Sequence, residues 1–217
     1  MLLSFDVAPE AIAEHDEWHT HEHLPERLAI PGFIRGTRWV AVQGQPRYFV
    51  LYEVESLGTL ASEAYLERLN HPTPWTSKMM LHYRGMTRGF CSIEASAGFG
   101  MGHAALLVRF KPEPGEEPSL AGWFRRDVLA GLPKRPGLGS VHLLRGALTP
   151  QMTNEQRIRG GDAGMDWAVL VTGYSQDALE AVARAELAGE RLAEHGATRV
   201  LAALYRNDYT LSASEIR

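Results

Sequence analysis

The sequence has almost no cysteine: Cys91 is the only one among 217 residues. One thiol cannot form an intramolecular disulfide, which favours a reducing compartment, and we expect the cytoplasm. No window approaches the run of ~20 apolar residues that a membrane-spanning helix needs. The first residues, MLLSFDVAPEA, lack the basic region and the long apolar core of a signal peptide. We therefore expect no membrane partner.

The chain also lacks a long run of basic residues. Its formal net charge is −4 and its isoelectric point is near 6.1. Because nucleic-acid-binding proteins carry clustered positive charge, we expect no nucleic-acid partner. Hydrophobic residues make up 45% of the chain and charged residues 22%, which is typical of a globular protein with a packed core.

A phosphate-binding loop is lacking as well. The stretch SAGFGMG at 96–102 is rich in glycine. However, its spacing is wrong for a nucleotide loop, and no predicted helix follows it to hold a phosphate. We predict that 96–102 is a linker.

What the chain does have is an order of predicted strands and helices that occurs twice. Each half is predicted as strand, helix, strand, strand, helix, strand. The stretch IPGFIRGTRW at 30–39 resembles RPGLGSVHLL at 135–144, and RYFVLYEVES at 47–56 resembles DWAVLVTGYS at 166–175. We therefore predict two units, residues 1–95 and 103–217, related by a duplication.

Single residues predict several local features of this plan. Pro25 is difficult to place in a helix that begins near Pro9: either the helix kinks near His21, or a second helix begins with Pro25 at its first position. Gly36 predicts a bulge in the second strand, and Ser56 predicts a helix cap. The stretch from 176 to 196 predicts one long helix.

The order β-α-β-β-α-β is that of the ferredoxin-like unit, an α+β arrangement in which both helices cover one face of a four-stranded antiparallel sheet. The other face must be covered too. Two such sheets can cover each other as an α/β barrel, either within one chain or between two subunits. We also expect the chain to form a homodimer.

The most unusual stretch, EHDEWHTHEHLPERLAIPGF at 14–33, has four histidines within nine residues: His15, His19, His21 and His23. On a straight helix the first, second and fourth of these share one face. His23 then lies about 12 Å from His15 along the axis, at ~1.5 Å per residue, so the three cannot bind one ion. Since metal sites need three or four converging ligands, we expect no metal and no cofactor.

Acid/base chemistry needs only one histidine, because an imidazole with a pKa near ~6.5 exchanges protons at neutral pH. Structural alternatives stay open beside it. His19 or His23 can brace the helix, Trp18 can pack in the core, and we expect His15 and His21 on the solvated surface.

The stretch WHTHEHLPERLAIPGF at 18–33, with the strand that follows it, resembles the EthD-like branch of the dimeric α/β-barrel superfamily. The residues that carry the likeness are Trp18, His23, Pro25, Pro31 and Gly32. The resemblance covers about residues 1–95. The second half shares the element order and the PG pair, but we find no counterpart of the tryptophan–histidine cluster there, so the site is expected in the first half.

The resemblance implies that the first helix lies beside a cleft on the sheet. His23 would be the acid/base group there, and His19 would assist it. We expect Arg38 to hold an anionic oxygen and four aromatic side chains to form the walls of the site. The predicted ligand-binding residues are Trp18, Arg38, Trp39, Tyr52 and Trp75.

The superfamily includes cofactor-independent monooxygenases, polyketide cyclases, lactone isomerases and haem-dependent dismutases and peroxidases. We expect a protein that binds a small aromatic or polyketide-like molecule and carries out monooxygenase, cyclase or isomerase chemistry with a histidine acid/base. Two alternatives stay open: a non-catalytic stress-type or assembly module, and a haem enzyme of the dismutase or peroxidase type.

Three further features outside the histidine stretch bear on these alternatives. His142 and His195 are haem-ligand candidates, but His195 precedes Gly196 at a predicted helix end, which favours a structural role. Cys91 is predicted to be an inert strand residue. The polar, glycine-rich segment 149–165 is predicted as either a mobile lid or disorder.

Overall fold

The computed structural model describes residues 1–148 and 151–216. The strands are β1 (Leu2–Val7), β2 (Phe33–Gln43), β3 (Tyr48–Val54), β4 (Tyr83–Gly98), β5 (Ala104–Pro112), β6 (Leu138–Leu148), β7 (Ala163–Gly164), β8 (Trp167–Gly173) and β9 (Ala197–Ser212). The helices are α1 (Ile12–Trp18), α2 (Leu24–Leu28), α3 (Glu63–Asn70), α4 (Pro74–Met80), α5 (Glu117–Trp123), α6 (Asn154–Arg159), α7 (Gln176–Arg184) and α8 (Gly189–Glu194). None of these helices has the length and apolarity to cross a membrane.

Eight of the strands form one closed antiparallel sheet. Their order around it is β1-β3-β2-β9-β5-β8-β6-β4, and β4 pairs again with β1. The short strand β7 adds a parallel pairing to β4. The protein is thus an α+β barrel, and the closure that the sequence left open takes place within one chain.

Each half of the chain contributes four consecutive positions to this sheet. In the first half the order is β4-β1-β3-β2, and in the second it is β9-β5-β8-β6. If the four strands of each half are numbered along the chain, their order in the sheet is 4-1-3-2 in both halves. Two seams join the halves, β2 with β9 and β4 with β6. Because β4 pairs with β6 as far as Gly98, the predicted linker loses its first three residues to a strand.

The inside of the barrel is filled with side chains. The ring of Trp39 stacks on Phe49 at 5.3 Å between centroids, and Phe49 meets Tyr205 edge-on at 4.6 Å. Leu107 and Leu170 close the same cluster from the second half. The two sheet faces that had to be covered therefore cover each other directly, with packed residues between them.

Two further apolar clusters lie outside the barrel, one beneath the helices of each half. In the first, Trp18 and Leu24 pack against Tyr48 and Tyr52 of β3. In the second, the ring of Trp123 stacks on His195 at 4.1 Å, and His195 is the residue that ends α8, at the helix end that the sequence predicted. Any site beneath the first helix is therefore outside the barrel.

The first helix passes Pro25 without a break. Between α1 and α2 the residues His19–His23 form a π-helical turn, which Leu24 closes by donating its backbone N–H to the carbonyl of His19. The extra residue in this turn lets the chain stay helical where the proline has no N–H to donate. Of the two alternatives, the structure is nearer to the second: α2 begins at Leu24 with Pro25 in its first turn, and a widened turn joins it to α1.

Other local predictions need correction. The irregularity in β2 lies between Phe33 and Arg35 on the β3 side, not at Gly36. A Cβ at Gly36 would meet Leu24 Cδ2 at 2.5 Å and Tyr52 Cε1 at 3.1 Å, so the glycine lets α2 approach the sheet.

Two helices begin or end elsewhere than predicted. Ser56 precedes a short 3₁₀ turn, and Ser62 is the residue whose side chain caps α3. The long helix expected at 176–196 is two helices, α7 and α8, separated near Ala185, where ψ is −89°. This break allows Leu187 and Leu192 both to be buried.

The segment 151–164 is neither structureless nor far from the first helix. Thr153 forms a capping box with Gln156 at the start of α6, and Gly160 ends the helix in the left-handed conformation. Glu155 of α6 is buried, at 2% exposure. The predicted disorder is therefore wrong for this part of the segment, which contains a helix with two buried polar side chains, Glu155 and Gln156. The mobile lid stays a prediction. Residues 149–150 of the predicted segment lie outside the described residues.

Candidate functional site

Four of the ring side chains on the first helix are turned toward the sheet. His15, Trp18, His19 and His23 are at most 8% exposed. His15 was expected on the surface, but its ring packs against Phe5 at 5.7 Å and against Tyr48 at 4.8 Å. His21 is exposed as predicted, with its ring 3.3 Å from Glu17.

The three buried histidines form a stack along the helix. The ring centroids of His15 and His19 are 5.5 Å apart, and those of His19 and His23 are also 5.5 Å apart. Trp18 lies 4.4 Å from His23, and its indole N–H donates to Glu22 and Thr76. The π-helical turn thus keeps the three imidazoles on one face.

At one end of the stack, His15 belongs to a hydrogen-bonded network. Its Nδ1 lies 3.1 Å from Asp16 Oδ1, and its Nε2 lies 3.3 Å from the hydroxyl of Tyr83. Tyr48 donates to the same Asp16 oxygen at 2.8 Å. Burial alone would raise the pKa of Asp16, but the hydrogen bonds from His15 and Tyr48 outweigh it and lower that pKa. Asp16 is therefore ionised and orients His15.

Arg38 joins this network through hydrogen bonds within the chain. Its Nε donates to Asp208 at 2.8 Å, and one terminal nitrogen donates to the backbone carbonyl of Asp16 at 3.1 Å. These bonds attach β2 to β9 and to the first helix. The guanidinium that was expected to hold a ligand oxygen is thus engaged within the chain.

The buried imidazoles are held neutral. Burial lowers the pKa of His19 well below its ordinary value, and the neighbouring His15 and Arg38 lower it further. Burial likewise lowers the pKa of His23 well below its ordinary value, with Arg27 as the next cause. Both rings are therefore neutral at pH 7, and each has one ring nitrogen that can accept a hydrogen bond.

Several polar atoms at the other end of the stack have no hydrogen-bond partner among the described residues. They are His19 Nδ1, His23 Nδ1, Tyr52 Oη and one terminal nitrogen of Arg27. The other terminal nitrogen of Arg27 donates to Glu155 of α6. An unpaired buried polar group costs about 1–3 kcal/mol, so this cluster lowers the stability of the protein. Burial also raises the pKa of Tyr52, which keeps its hydroxyl protonated and able to donate.

Two predicted wall residues lie apart from this cluster. Trp39 faces the barrel interior, on the opposite side of the sheet from Trp18. Trp75 of α4 lies at the outer edge of the first helix, where its indole N–H donates to Glu14 at 3.1 Å. Of the predicted residues, the structure brings together Trp18, His19, His23 and Tyr52.

Other members of the site were not predicted. Arg27 lies one helical turn beyond His23 on the same face, and this spacing is a signal that the sequence carries. Tyr83 and Glu155 come from distant positions, and only the fold brings them to the first helix.

The second half offers a comparison within the same molecule. Trp123 ends α5, as Trp18 ends α1, and a π-helical turn, Phe124–Val128, follows it. The expectation that the second half has no counterpart is thus wrong for the tryptophan and right for the histidines. Counted from each tryptophan, Leu120, Phe124, Val128 and Leu132 hold the places of His15, His19, His23 and Arg27. All four are buried apolar residues.

The cavities near the cluster lie beside segment 151–164. One of about 470 Å³ is lined by Tyr83, Met86 and Arg159, among others. A smaller one of about 170 Å³ is lined by Tyr65, Arg88 and Phe90, among others. Neither is lined by His19 or His23. In the part of the chain described, no three His, Cys, Asp or Glu side chains are placed to hold a metal ion.

No family model matches the chain, and no curated protein matches it. Among solved structures it is similar to an anthrone oxidase-like protein, with a TM-score of 0.68 and 15% identity over 100% of this chain and 93% of that one. It is also similar to two proteins assigned as monooxygenases. For the one from Fusobacterium nucleatum the TM-score is 0.60, with 8% identity over 97% of this chain and 92% of that one. For the one from Lactobacillus acidophilus the TM-score is 0.59, with 9% identity over 98% and 94%. At these identities the likeness shows a shared fold, the closed antiparallel barrel with outer helices.

Proposed function

We propose that the chain binds a small aromatic or polyketide-like molecule beneath its first helix and that His23, assisted by His19, acts there as a general base. The observation that carries this proposal is the contrast between the halves. Where the second half has Phe124, Val128 and Leu132, the first half has His19, His23 and Arg27. The apolar set shows that this architecture packs without the polar groups, which therefore serve another purpose.

The finer assignment of the fold is part of the same proposal. The strand order 4-1-3-2 in each half and the two π-helical turns support two fused ferredoxin-like units, residues 1–95 and 103–217. The stretch at 18–33 supports membership of the EthD-like branch. We also propose that the chain forms a homodimer, as members of that superfamily do.

Access to the site is through segment 151–164. Glu155 of α6 binds Arg27 at a fully buried position, so α6 covers the polar end of the stack. We propose that this helix moves to admit a ligand. The ligand then takes the place of the missing partners of His23, Tyr52 and Arg27.

The chemistry we propose is oxidation of an anthrone-like carbon acid by O₂ without a cofactor. The neutral imidazole of His23 removes a proton from the CH₂ group of anthrone. The hydroxyl of Tyr52 donates to the oxygen on which negative charge then collects, and Arg27 stabilises that charge. The carbanion reacts with O₂ and forms a C–O bond, and the peroxide anion takes back the proton that His23 removed. The resulting hydroperoxide breaks its O–O bond, loses the second hydrogen of that carbon as a proton, and gives anthraquinone and water.

The test replaces the polar residues by those of the other half. In the double variant His19→Phe/His23→Val we expect O₂ uptake with anthrone, measured with an oxygen electrode, to fall at least about 100-fold, the usual contribution of a general base. The free energy of unfolding should stay the same or rise, because unpaired polar groups are removed. His21→Ala is the matched control and should oxidise anthrone at the wild-type rate.

Two results would contradict the proposal. One is a wild-type rate no higher than the rate without protein, which would exclude this reaction. The other is a double variant that keeps its activity but loses stability, because the histidines would then be packing residues of a non-catalytic module.

A further inference from the structure

A further cavity lies beside α3, on the same outer face of the first-half sheet. It is the cavity of about 170 Å³. Its side-chain walls are mainly apolar, and they include Leu60, Tyr65, Leu66, Leu69, Arg88 and Phe90. Arg88 is the charged residue among these walls, although it is only 3% exposed.

The charge of Arg88 is not matched by a carboxylate of its own. Three buried arginines, Arg27, Arg88 and Arg159, lie near two buried carboxylates, Glu155 and Asp162. Glu155 is bound to Arg27. Asp162 accepts two hydrogen bonds from Arg159, at 2.7 and 2.6 Å. One positive charge is therefore in excess, and it belongs to Arg88.

The contact of Arg88 with Asp162 is an ion pair without a hydrogen bond. Its Nε lies 3.1 Å from Asp162 Oδ2, but the N–H does not point at that oxygen, and Nε has no hydrogen-bond partner among the described residues. Burial lowers the pKa of Arg88, and the neighbouring Arg159 opposes its charge. The carboxylates that raise the pKa of Arg88 are Asp162 and Glu155, and both are already bound by other arginines.

A buried guanidinium with an excess charge is costly unless an anion accompanies it. The planar fork of arginine matches a carboxylate, with which it forms two parallel hydrogen bonds. The apolar walls favour an anion with an organic body over a hydrated inorganic ion. The volume is below the ~300–1,000 Å³ of pockets for drug-sized ligands, so the body is small.

We propose that this cavity binds a compact aromatic carboxylate of about one ring, with its carboxylate on Arg88 and its ring between Phe90 and the leucines of α3 and the preceding turn. The site is separate from the buried histidines. The proposal therefore goes beyond the function proposed above and holds whether or not those histidines catalyse a reaction.

The experiment is calorimetric titration of the full chain with benzoate, and with benzamide as its neutral analogue of the same shape. We expect saturable binding of benzoate and at least about tenfold weaker binding of benzamide, because benzamide carries no charge to pair with Arg88. A tenfold difference in affinity corresponds to ~1.4 kcal/mol of binding free energy. Inorganic phosphate should not bind to this site. Equal affinity for benzoate and benzamide, or no saturable binding of benzoate, would overturn the proposal.

Three variants locate the binding site. Arg88→Met should weaken benzoate binding at least about tenfold. Leu66→Trp fills the cavity while Arg88 keeps its contacts, and it should abolish binding even if the arginine variant folds poorly. Arg88 also borders a larger depression of about 870 Å³ that Arg145 lines. Arg145→Met should therefore leave the affinity unchanged. Binding that survives Leu66→Trp, or that is lost in Arg145→Met, would show that the anion lies elsewhere.

Discussion

Three neutral histidines buried in one stack make the stability of the protein depend on pH. Burial lowers the pKa values of His15, His19 and His23. In the unfolded chain these imidazoles regain a pKa of about 6.5. Below that pH the unfolded state therefore binds more protons than the folded one, so the free energy of unfolding falls as pH falls.

We predict that this loss begins near pH 6.5, with a slope of up to about 1.4 kcal/mol per pH unit for each histidine. Urea denaturation between pH 8 and pH 5 measures it. Of the contributions of these three rings, the variant His19→Phe/His23→Val should keep only that of His15. Burial also lowers the pKa values of the Met1 amino group and of His142, and these two contributions are common to the wild type and the variant. His21→Ala is the control, because that side chain is exposed, and it should follow the wild-type curve. A wild-type stability that does not change over this range would show that the rings are not buried in the neutral form.

The contribution of the Arg27–Glu155 ion pair to the free energy of unfolding can be measured with a double-mutant cycle. Glu155→Gln leaves the guanidinium buried without its carboxylate, and we expect a loss of about 3–5 kcal/mol in the free energy of unfolding. Arg27→Leu introduces the residue found at the matching place in the second half, Leu132. The double variant should be more stable than Glu155→Gln alone. Additive losses in the double-mutant cycle would mean that the two residues do not interact.

The sequence predicted only part of the site at the level of residues. The i, i+4 spacing of His15, His19 and His23 placed the three on one face, and the structure bears this out. The spacing did not tell whether that face was exposed to solvent or buried, because histidine occurs in both environments. His15 was therefore assigned to the surface, although it is buried against Phe5. Arg38 was expected to hold an anionic oxygen, and its bond to Asp208 could not be predicted because Asp208 lies far away in the chain.

At the scale of the element, the π-helical turn is the feature that positions His23. The same turn occurs after Trp123, where Ala130 stands in the place of Pro25. The proline is therefore not the cause of the turn. We infer that packing of the tryptophan against the sheet favours the extra residue in both halves.

This interpretation predicts that Pro25→Ala keeps the widened turn. The change restores a backbone donor, and we expect the free energy of unfolding to shift by no more than about 1 kcal/mol. NMR contacts between the rings of Trp18 and His23, now 4.4 Å apart, should persist. If those contacts vanished while the helix remained, the turn would depend on the proline after all.

The packing of α2 on the sheet has a test of its own. Gly36→Ala would bring a methyl group to within 2.5 Å of Leu24 Cδ2. Overpacking of this kind costs about 1–3 kcal/mol. Gly131→Ala is the matched control, because a Cβ there meets no atom within 4 Å, and it should change stability by less than about 0.5 kcal/mol. Thermal unfolding measures both, and equal effects would contradict the close approach of α2.

Strands were easier to predict than the helical connections. Alternating or continuous apolar residues marked β1, β3 and β8, since each has at least one face in a core. The role of segment 151–164 could not be predicted in this way. Its buried side chains include two polar ones, Glu155 and Gln156. Glu155 pairs with Arg27 far away in the chain, and Gln156 bonds to Thr153 and Asp162 within the segment. A segment whose interior contacts are polar has no hydrophobic period to detect.

At the scale of the whole molecule, the closed sheet couples the two halves. The β2–β9 seam extends from Arg35↔Ser212 to Gln43↔Leu204, and the β4–β6 seam extends from Phe90↔Leu148 to Gly98↔Ser140. The cluster inside the barrel also takes residues from both halves. Neither half can unfold without exposing the edges and the inner face of the other. The α+β class and the antiparallel pairing of the strands could be predicted from the sequence. The side chains that fill the barrel could not, because alternation along a strand does not tell which face of the sheet packs against helices.

This coupling predicts one cooperative unfolding transition. Leu24 in the first outer core and Leu120 in the second are both fully buried. Changing either to alanine should lower the free energy of unfolding by about 2–5 kcal/mol. In both variants far-UV circular dichroism and tryptophan fluorescence should shift together, because the seams transmit the loss to the intact half. If the halves were independent, Leu120→Ala would shift only part of each signal and leave a second transition at the wild-type midpoint. Hydrogen exchange of β1 and β3 separates these outcomes directly: in Leu120→Ala these first-half strands should lose protection although the substituted residue lies beneath the other half.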